Sequence, residues 1–120
     1  MLSPDKTGVS GPATARRRVG RTDLWLSEIG FGTGSLGGLF SAVSDEQGRT
    51  TIREAVRLGI GYVDTSPFYG FGRSEHLVGD TLRETKADIV LSTKVGRLLE
   101  PYWGEEAERE GWIDPQPFTP

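Results

Sequence analysis

The sequence predicts a parallel α/β fold, on three observations. Short apolar runs at residues 29–33, 60–65 and 88–93 alternate with stretches of helical periodicity. The segments between the runs are long enough to hold a helix, which parallel neighbours require and antiparallel neighbours do not. Both helical stretches are opened by residues that cap helices. Strand, helix, strand, helix, strand in that order means a parallel sheet with helices packed on it.

Taken in chain order, residues 1–15 are rich in Ser, Thr, Gly and Pro with no periodic apolar face, so they are expected to form a mobile tail ahead of a domain at 16–120. Arg16-Arg17-Arg18 is short and isolated, and is expected to be solvated charge at the domain edge rather than a targeting or anionic-ligand site. Residues 19–27 fit a hairpin turning at Gly20-Arg21-Thr22-Asp23, with Leu24 and Leu26 on one side and Trp25 on the other. Residues 29–33 form a strand that enters a glycine-rich loop.

Ser44 starts the first helix. Gln47 stands three residues on as its capping-box partner, and Asp45 and Glu46 put negative charge at the positive end of the helix dipole. Ile52, Ala55, Val56 and Gly59 fall on one face, and the helix should stop near Gly59. The strand at 60–65 follows almost without a loop. Ser74 is expected to cap a second helix whose buried stripe is Leu77, Val78, Thr81 and Leu82, with Gly79 allowing close contact with the sheet. The strand at 88–93 completes the pattern.

Composition excludes several classes. A chain of 120 residues can be one domain that buries roughly two thirds of its extended surface. A net charge of −3 argues against a nucleic-acid partner, which needs a concentrated basic face. Without cysteine there are no disulfides, thiolate metal sites or thiol nucleophiles, which is compatible with a reducing compartment. The apolar runs are a few residues long, so neither a signal peptide nor a membrane span is expected, and the expected location is cytoplasmic.

The chemistry concentrates at strand ends. The run Tyr62-Val63-Asp64 ends in a carboxylate and is followed five residues later by Tyr69, and the next strand delivers Lys94 at the same relative place. An acid, a phenol and an amine at the ends of two successive strands are a candidate proton-transfer site. Singly, each has a bland reading: a turn former, a loop anchor, a solvated charge. Gly32-Thr33-Gly34-Ser35-Leu36-Gly37 also matches the G-x-G-x-x-G of a Rossmann dinucleotide site, but its geometry is wrong. There the helix opens inside the glycines and the acid lies about 20 residues on, whereas here the cap is Ser44 and Asp64 lies farther still.

Four motifs agree in order and spacing with a known family. Arg18-Val19-Gly20-Arg21-Thr22 through Gly30-Phe31-Gly32-Thr33-Gly34, then Asp64-Thr65-Ser66-Pro67-Phe68-Tyr69-Gly70, Ser74-Glu75, and Ser92-Thr93-Lys94-Val95-Gly96 resemble the amino-terminal part of an aldo-keto reductase. Gly37-Gly38-Leu39-Phe40 and Arg97-Leu98-Leu99 are closest to its sugar and pyridoxal dehydrogenase branch.

The resemblance implies a (β/α)8 barrel that uses NADP(H) or NAD(H) on a small carbonyl or sugar substrate. Asp64, Tyr69 and Lys94 match three members of the catalytic tetrad, with Tyr69 as proton donor, Lys94 stabilising the phenolate and Asp64 holding Lys94. Gly32, Thr33 and Gly34, with Asp64, match the segment beside the nicotinamide and its ribose. His76 is the sole histidine but lies in a helical first turn, so a surface or capping role is expected. Phe68, Tyr102 and Trp103 either line a substrate pocket or, the reading favoured here, pack the core and loops.

Eight strand-helix units need about 250 residues, so the expectation is an incomplete barrel of roughly three strand units behind an amino-terminal hairpin. The strand-four histidine and the clamp for the adenosine 2'-phosphate are then missing. Residues 101–120, with their glutamates and prolines, read as a loop before a third helix. The chain alone is expected to be inactive and to self-associate through its uncovered barrel face. The alternative is a non-catalytic truncated barrel acting at most as a binding or assembly module.

Overall fold

A computed structural model describes residues 15–99 of the chain. Expectations for residues 1–14, for Tyr102 and Trp103, and for the rest of 100–120 lie outside the described residues.

The hairpin starts earlier than its sequence suggests. Strand β1 (Arg16–Arg18) pairs antiparallel with β2 (Trp25–Ser27), Arg17 standing opposite Leu26. The arginines are therefore a strand of the hairpin, with Arg17 and Arg18 exposed as charge at the domain edge. The long charged side chains find partners along the extended backbone: Arg17 Nε lies 2.7 Å from Glu28 Oε1, and Arg18 Nε donates to Thr22 O. The connection closes through Val19 N–H to Leu24 O at 2.9 Å, with Gly20 at φ +52. Ala15, assigned by sequence to the tail, already accepts from Glu28 N–H. Ser27 is buried, and its Oγ accepts from the N–H of Gly61, so the hairpin sits at the amino-terminal end of the sheet.

That sheet is parallel, in the order β3 (Phe31–Gly32), β4 (Tyr62–Asp64), β5 (Val90–Ser92). Gly32 pairs with Asp64, and Asp64 with Ser92. Because side chains alternate along a strand, Phe31, Val63 and Leu91 share one face and Gly32, Tyr62, Asp64, Val90 and Ser92 the other. The first face receives the helices.

Helix α1 (Asp45–Arg57) is capped as the sequence predicts, Ser44 Oγ accepting from Gln47 N–H while the Gln47 side chain accepts from Ser44 N–H. It stops at Leu58, and Gly59 at φ +87 turns the chain directly into the next strand. Helix α2 (Arg73–Thr85) corrects one expectation, since its N-cap is Gly72, at φ +94, and not Ser74. Gly70 and Gly72 both adopt left-handed conformations that wind the approach tightly, and this starts the helix before Ser74 is reached. Ser74 lies in the first turn, fully buried, and its hydroxyl donates to Thr33 O at 2.7 Å.

Ile52 and Val56 of α1, Leu77 and Val78 of α2, Val63 and Leu36 form the core. Ala55 is buried too, and Leu82 is partly so. Gly79 does not approach the sheet as expected, since a side chain there would first meet the Arg83 guanidinium. The close approach occurs at Gly48 instead, where a Cβ would lie 2.9 Å from Leu77. The glycines after β3 form a short 3-10 turn (Gly34–Gly37), and α1 opens eight residues later, which is not the geometry of a dinucleotide-binding turn. Among the described residues no helix is long and apolar enough to cross a membrane.

Candidate active site

Asp64 closes β4 and Lys94 follows β5 by two residues, so the parallel register brings both to the carboxyl end of the sheet. Lys94 Nζ lies 2.7 Å from Asp64 Oδ2 and 2.9 Å from Thr65 O. The other carboxylate oxygen, Oδ1, accepts from Ser92 Oγ at 2.5 Å, and Ser92 Oγ is 3.0 Å from Tyr62 Oη. The Lys94 ammonium, then the Ser92 hydroxyl, hold the Asp64 carboxyl below its ordinary range. Asp64 in turn raises Lys94, with Tyr69 as a smaller contributor, so the lysine stays charged.

Tyr69 stands on the loop between β4 and α2. Its N–H donates to Ser66 O and its carbonyl accepts from Ser74 N–H, which fixes the backbone at both ends of the residue. Its ring receives Lys94 Nζ at 4.9 Å from the centroid and lies 3.8 Å from the place a Gly34 side chain would take. Beneath it the backbones of Gly37 and Gly70 cross so closely that a Cβ at Gly37 would sit 2.5 Å from Tyr69 C. The glycine-rich turn thus lets one loop settle on the other.

Asp64, Lys94 and Tyr69 are therefore brought together. Gly32, Thr33 and Gly34 border the same strand ends but differ in what they present. Gly32 is exposed, with open space where a side chain would be, and Gly34 backs the Tyr69 ring. Thr33 is fully buried, its N–H and hydroxyl both donating to Asp64 O and its carbonyl accepting from Ser74 Oγ, so it presents no group to the mouth and supports the strand ends from behind. His76 is exposed and pairs with Asp80 on its own helix, 3.2 Å away, as a surface residue. Among the described residues no cluster of acidic or histidine side chains could hold a metal ion.

Sequence reasoning missed Ser92, Tyr62, Ser74 and Arg97. Ser92 and Tyr62 could have been found from the register alone, because both share the sheet face of Asp64. Beside Tyr69 and Lys94 opens a cavity of about 210 Å3 that Phe68 also lines. Phe68 thus lines the pocket while also packing edge-on against Phe71 of the same loop, so one ring fills both roles weighed for it. Arg97 lies over its ring at 4.1 Å.

Parallel strands with outer helices and a polar cluster at their carboxyl ends define an α/β protein of the kind that meets its ligands there. The profile of the aldo/keto reductase family matches residues 28–116, and the chain belongs to that family of oxidoreductases. It is 46% identical over 87 residues to pyridoxal 4-dehydrogenase of Microbacterium luteolum, covering 72% of this chain and 25% of that protein. It is 42% identical over 79 residues to D-threo-aldose 1-dehydrogenase of a Pseudomonas species, covering 65% and 24%. Among solved structures, the holo form of aldo-keto reductase AKR11C1 from Bacillus halodurans superposes with a TM-score of 0.64 at 39% identity, over 72% of this chain and 28% of that one. These likenesses put the chain in the (β/α)8-barrel family of folds. The chain spans about a quarter of the length of the curated relatives it matches.

Proposed function

We propose that Asp64, Tyr69 and Lys94 are the proton-transfer centre of a nicotinamide-dependent oxidoreductase that interconverts a carbonyl compound with its alcohol, or a sugar hemiacetal with its lactone. The observation that carries this reading is the Lys94 ammonium held 2.7 Å from Asp64 and 4.9 Å from the centroid of the Tyr69 ring. In this reading the three parallel strands are the first three of the barrel.

In the reductive direction the Tyr69 hydroxyl gives its proton to the carbonyl oxygen, and the carbonyl becomes an alcohol. A free phenol, with a pKa of about 10, is a weak acid near neutrality. A cation beside it stabilises the phenolate left behind. Lys94 plays that part, and Asp64 keeps it charged and aimed. In the oxidative direction the Tyr69 phenolate takes the hydroxyl proton back.

NADP(H) or NAD(H), when bound, supplies or accepts the hydride. The residues present fit such a group: Gly32 offers bare backbone and open space beside Asp64, where a flat ring can approach. Gly32, Gly34 and Asp64 would border it, with Thr33 buried behind them as their support.

The test completes the barrel by fusing the chain to the carboxyl-terminal portion of a relative, then follows reduced-nicotinamide absorbance. Tyr69→Phe should lower kcat about 100- to 10,000-fold while leaving the cofactor dissociation constant nearly unchanged. Undiminished turnover by that variant would sink the assignment of Tyr69. The unextended chain should show no measurable turnover.

A further inference from the structure

We propose that Arg97 is a specificity-determining residue that binds an anionic oxygen group on the substrate, so that this site favours small carbonyl compounds carrying a carboxylate or similar anion. The proposal rests on the proton-transfer reading of Tyr69 and Lys94, because those two side chains line the same cavity as Arg97.

The first support is the charge balance of the site. The positive charge of Lys94 is taken up by Asp64 at 2.7 Å. The arginines of the two helices are also spoken for: Arg49, Arg53, Arg57, Arg73 and Arg83 each face a carboxylate. Arg97 makes no ion pair and no hydrogen bond among the described residues, and its contact is the face of Phe68. Among the described residues, the cavity beside Tyr69 therefore carries one positive charge that no carboxylate cancels.

The second support is preorganisation. Phe68 is braced edge-on by Phe71, with ring centroids 5.5 Å apart at an interplanar angle of 82°. A guanidinium seated 4.1 Å over that ring is restrained in place, and the N–H groups it does not turn to the ring are the ones that grip a carboxylate or phosphate with two parallel hydrogen bonds. A lysine in the same place would offer a point charge without that fork. The third support is size. At about 210 Å3 the cavity is smaller than the roughly 300–1,000 Å3 of drug-sized sites, which suits a substrate of a few carbon atoms. A carbonyl oriented toward Tyr69 then leaves its far end close to Arg97.

The experiment separates charge from shape by using 4-oxobutanoate and its methyl ester. Binding to the full chain is measured by ligand-observed saturation-transfer NMR, which does not depend on turnover. The acid should bind at least about tenfold more tightly than the ester. Arg97→Ala and Arg97→Gln should both remove that preference, and Arg97→Lys should retain part of it. Arg21→Ala, which deletes the same charge from the hairpin turn, should leave it in place. In the completed barrel the ratio of kcat/KM for acid over ester should fall about as much in Arg97→Ala. Equal binding of acid and ester by the unaltered chain, or a preference that survives Arg97→Ala, would overturn the proposal. Should Tyr69→Phe in the completed barrel turn over as fast as the parent, the proton-transfer reading fails, and the NMR titration still decides Arg97.

Discussion

Asp64 and Lys94 were legible in the sequence because parallel register is a geometric rule: residues that end adjacent strands end side by side. Ser92 was not, since a serine in a strand gives no sign of its partner until the pairing is known, and then it falls directly opposite Asp64. Its hydroxyl is the second hydrogen bond to that carboxylate, and the pH dependence follows from both bonds. Asp64 is held below its ordinary 3.8, so its contribution to stability is complete above that value and is lost as pH falls through the lower folded value. Lys94 is raised above its ordinary 10.5, so its contribution is complete below 10.5 and is lost as pH rises through the higher folded value. Between roughly pH 4 and 10 the pair's contribution should be flat. With the Lys94 side chain 46% exposed, solvent screening limits the pair to about 1 kcal/mol. Ser92→Ala should move the Asp64 midpoint upward and, in the completed barrel, lower kcat more than it changes KM. The midpoint is read from the Asp64 carboxyl carbon shift in NMR, and an unmoved midpoint would show that Ser92 does not support the acid.

Among the elements, α1 was legible almost to the residue, because Ser44, Gln47 and the Ile52, Ala55, Val56 face are local signals that tertiary structure did not override. The start of α2 was misread for the opposite reason. Serine is a common cap, but here two left-handed glycines set the turn and Ser74 is drawn inward as a latch on Thr33. The glycines at 32–37 imitate a nucleotide motif in one dimension, while in three they let the Tyr69 loop lie against the 3-10 turn. Ser44→Ala should therefore cost about 1 kcal/mol and leave the site intact. Gly37→Ala should cost more, because its Cβ would sit 2.5 Å from Tyr69 C and 2.6 Å from Gly70 N, and backbone has little room to move. We expect a loss of about 2 kcal/mol or more from overpacking, together with displacement of Tyr69. Thermal melts compare the two variants, and kcat of the completed barrel reports the displacement. A Gly37→Ala protein as stable and as active as the parent would mean that the two loops are not in register as described.

At the scale of the whole molecule, self-association is expected from an uncovered sheet face of the kind that fills a barrel interior and from an unpaired edge strand beside it. That face is largely polar: Gly32, Tyr62, Asp64 and Ser92 are glycine or hydrogen-bonded polar groups, and Val90 alone is aliphatic. The exposed apolar surface lies elsewhere. Leu91, on the helix-bearing face, is 48% exposed, and beyond it Val95 and Leu98 are almost fully so. Among the described residues no strand pairs with the outer edge of β5, so its backbone groups on that side are unpaired and flanked by aliphatic side chains. An open edge beside apolar side chains is the combination that recruits another strand. The 120-residue chain on its own should therefore associate in a concentration-dependent way through β5 and its neighbours, and not through the Tyr62 and Asp64 face. Leu91→Lys places charge on that edge and should shift sedimentation toward monomer, whereas Tyr62→Phe, which changes only the opposite face, should not. Sedimentation velocity across a concentration series decides between them. A chain that stays monomeric at all concentrations would show that this edge is covered, and relief by Tyr62→Phe but not by Leu91→Lys would move the contact back to the face with the site.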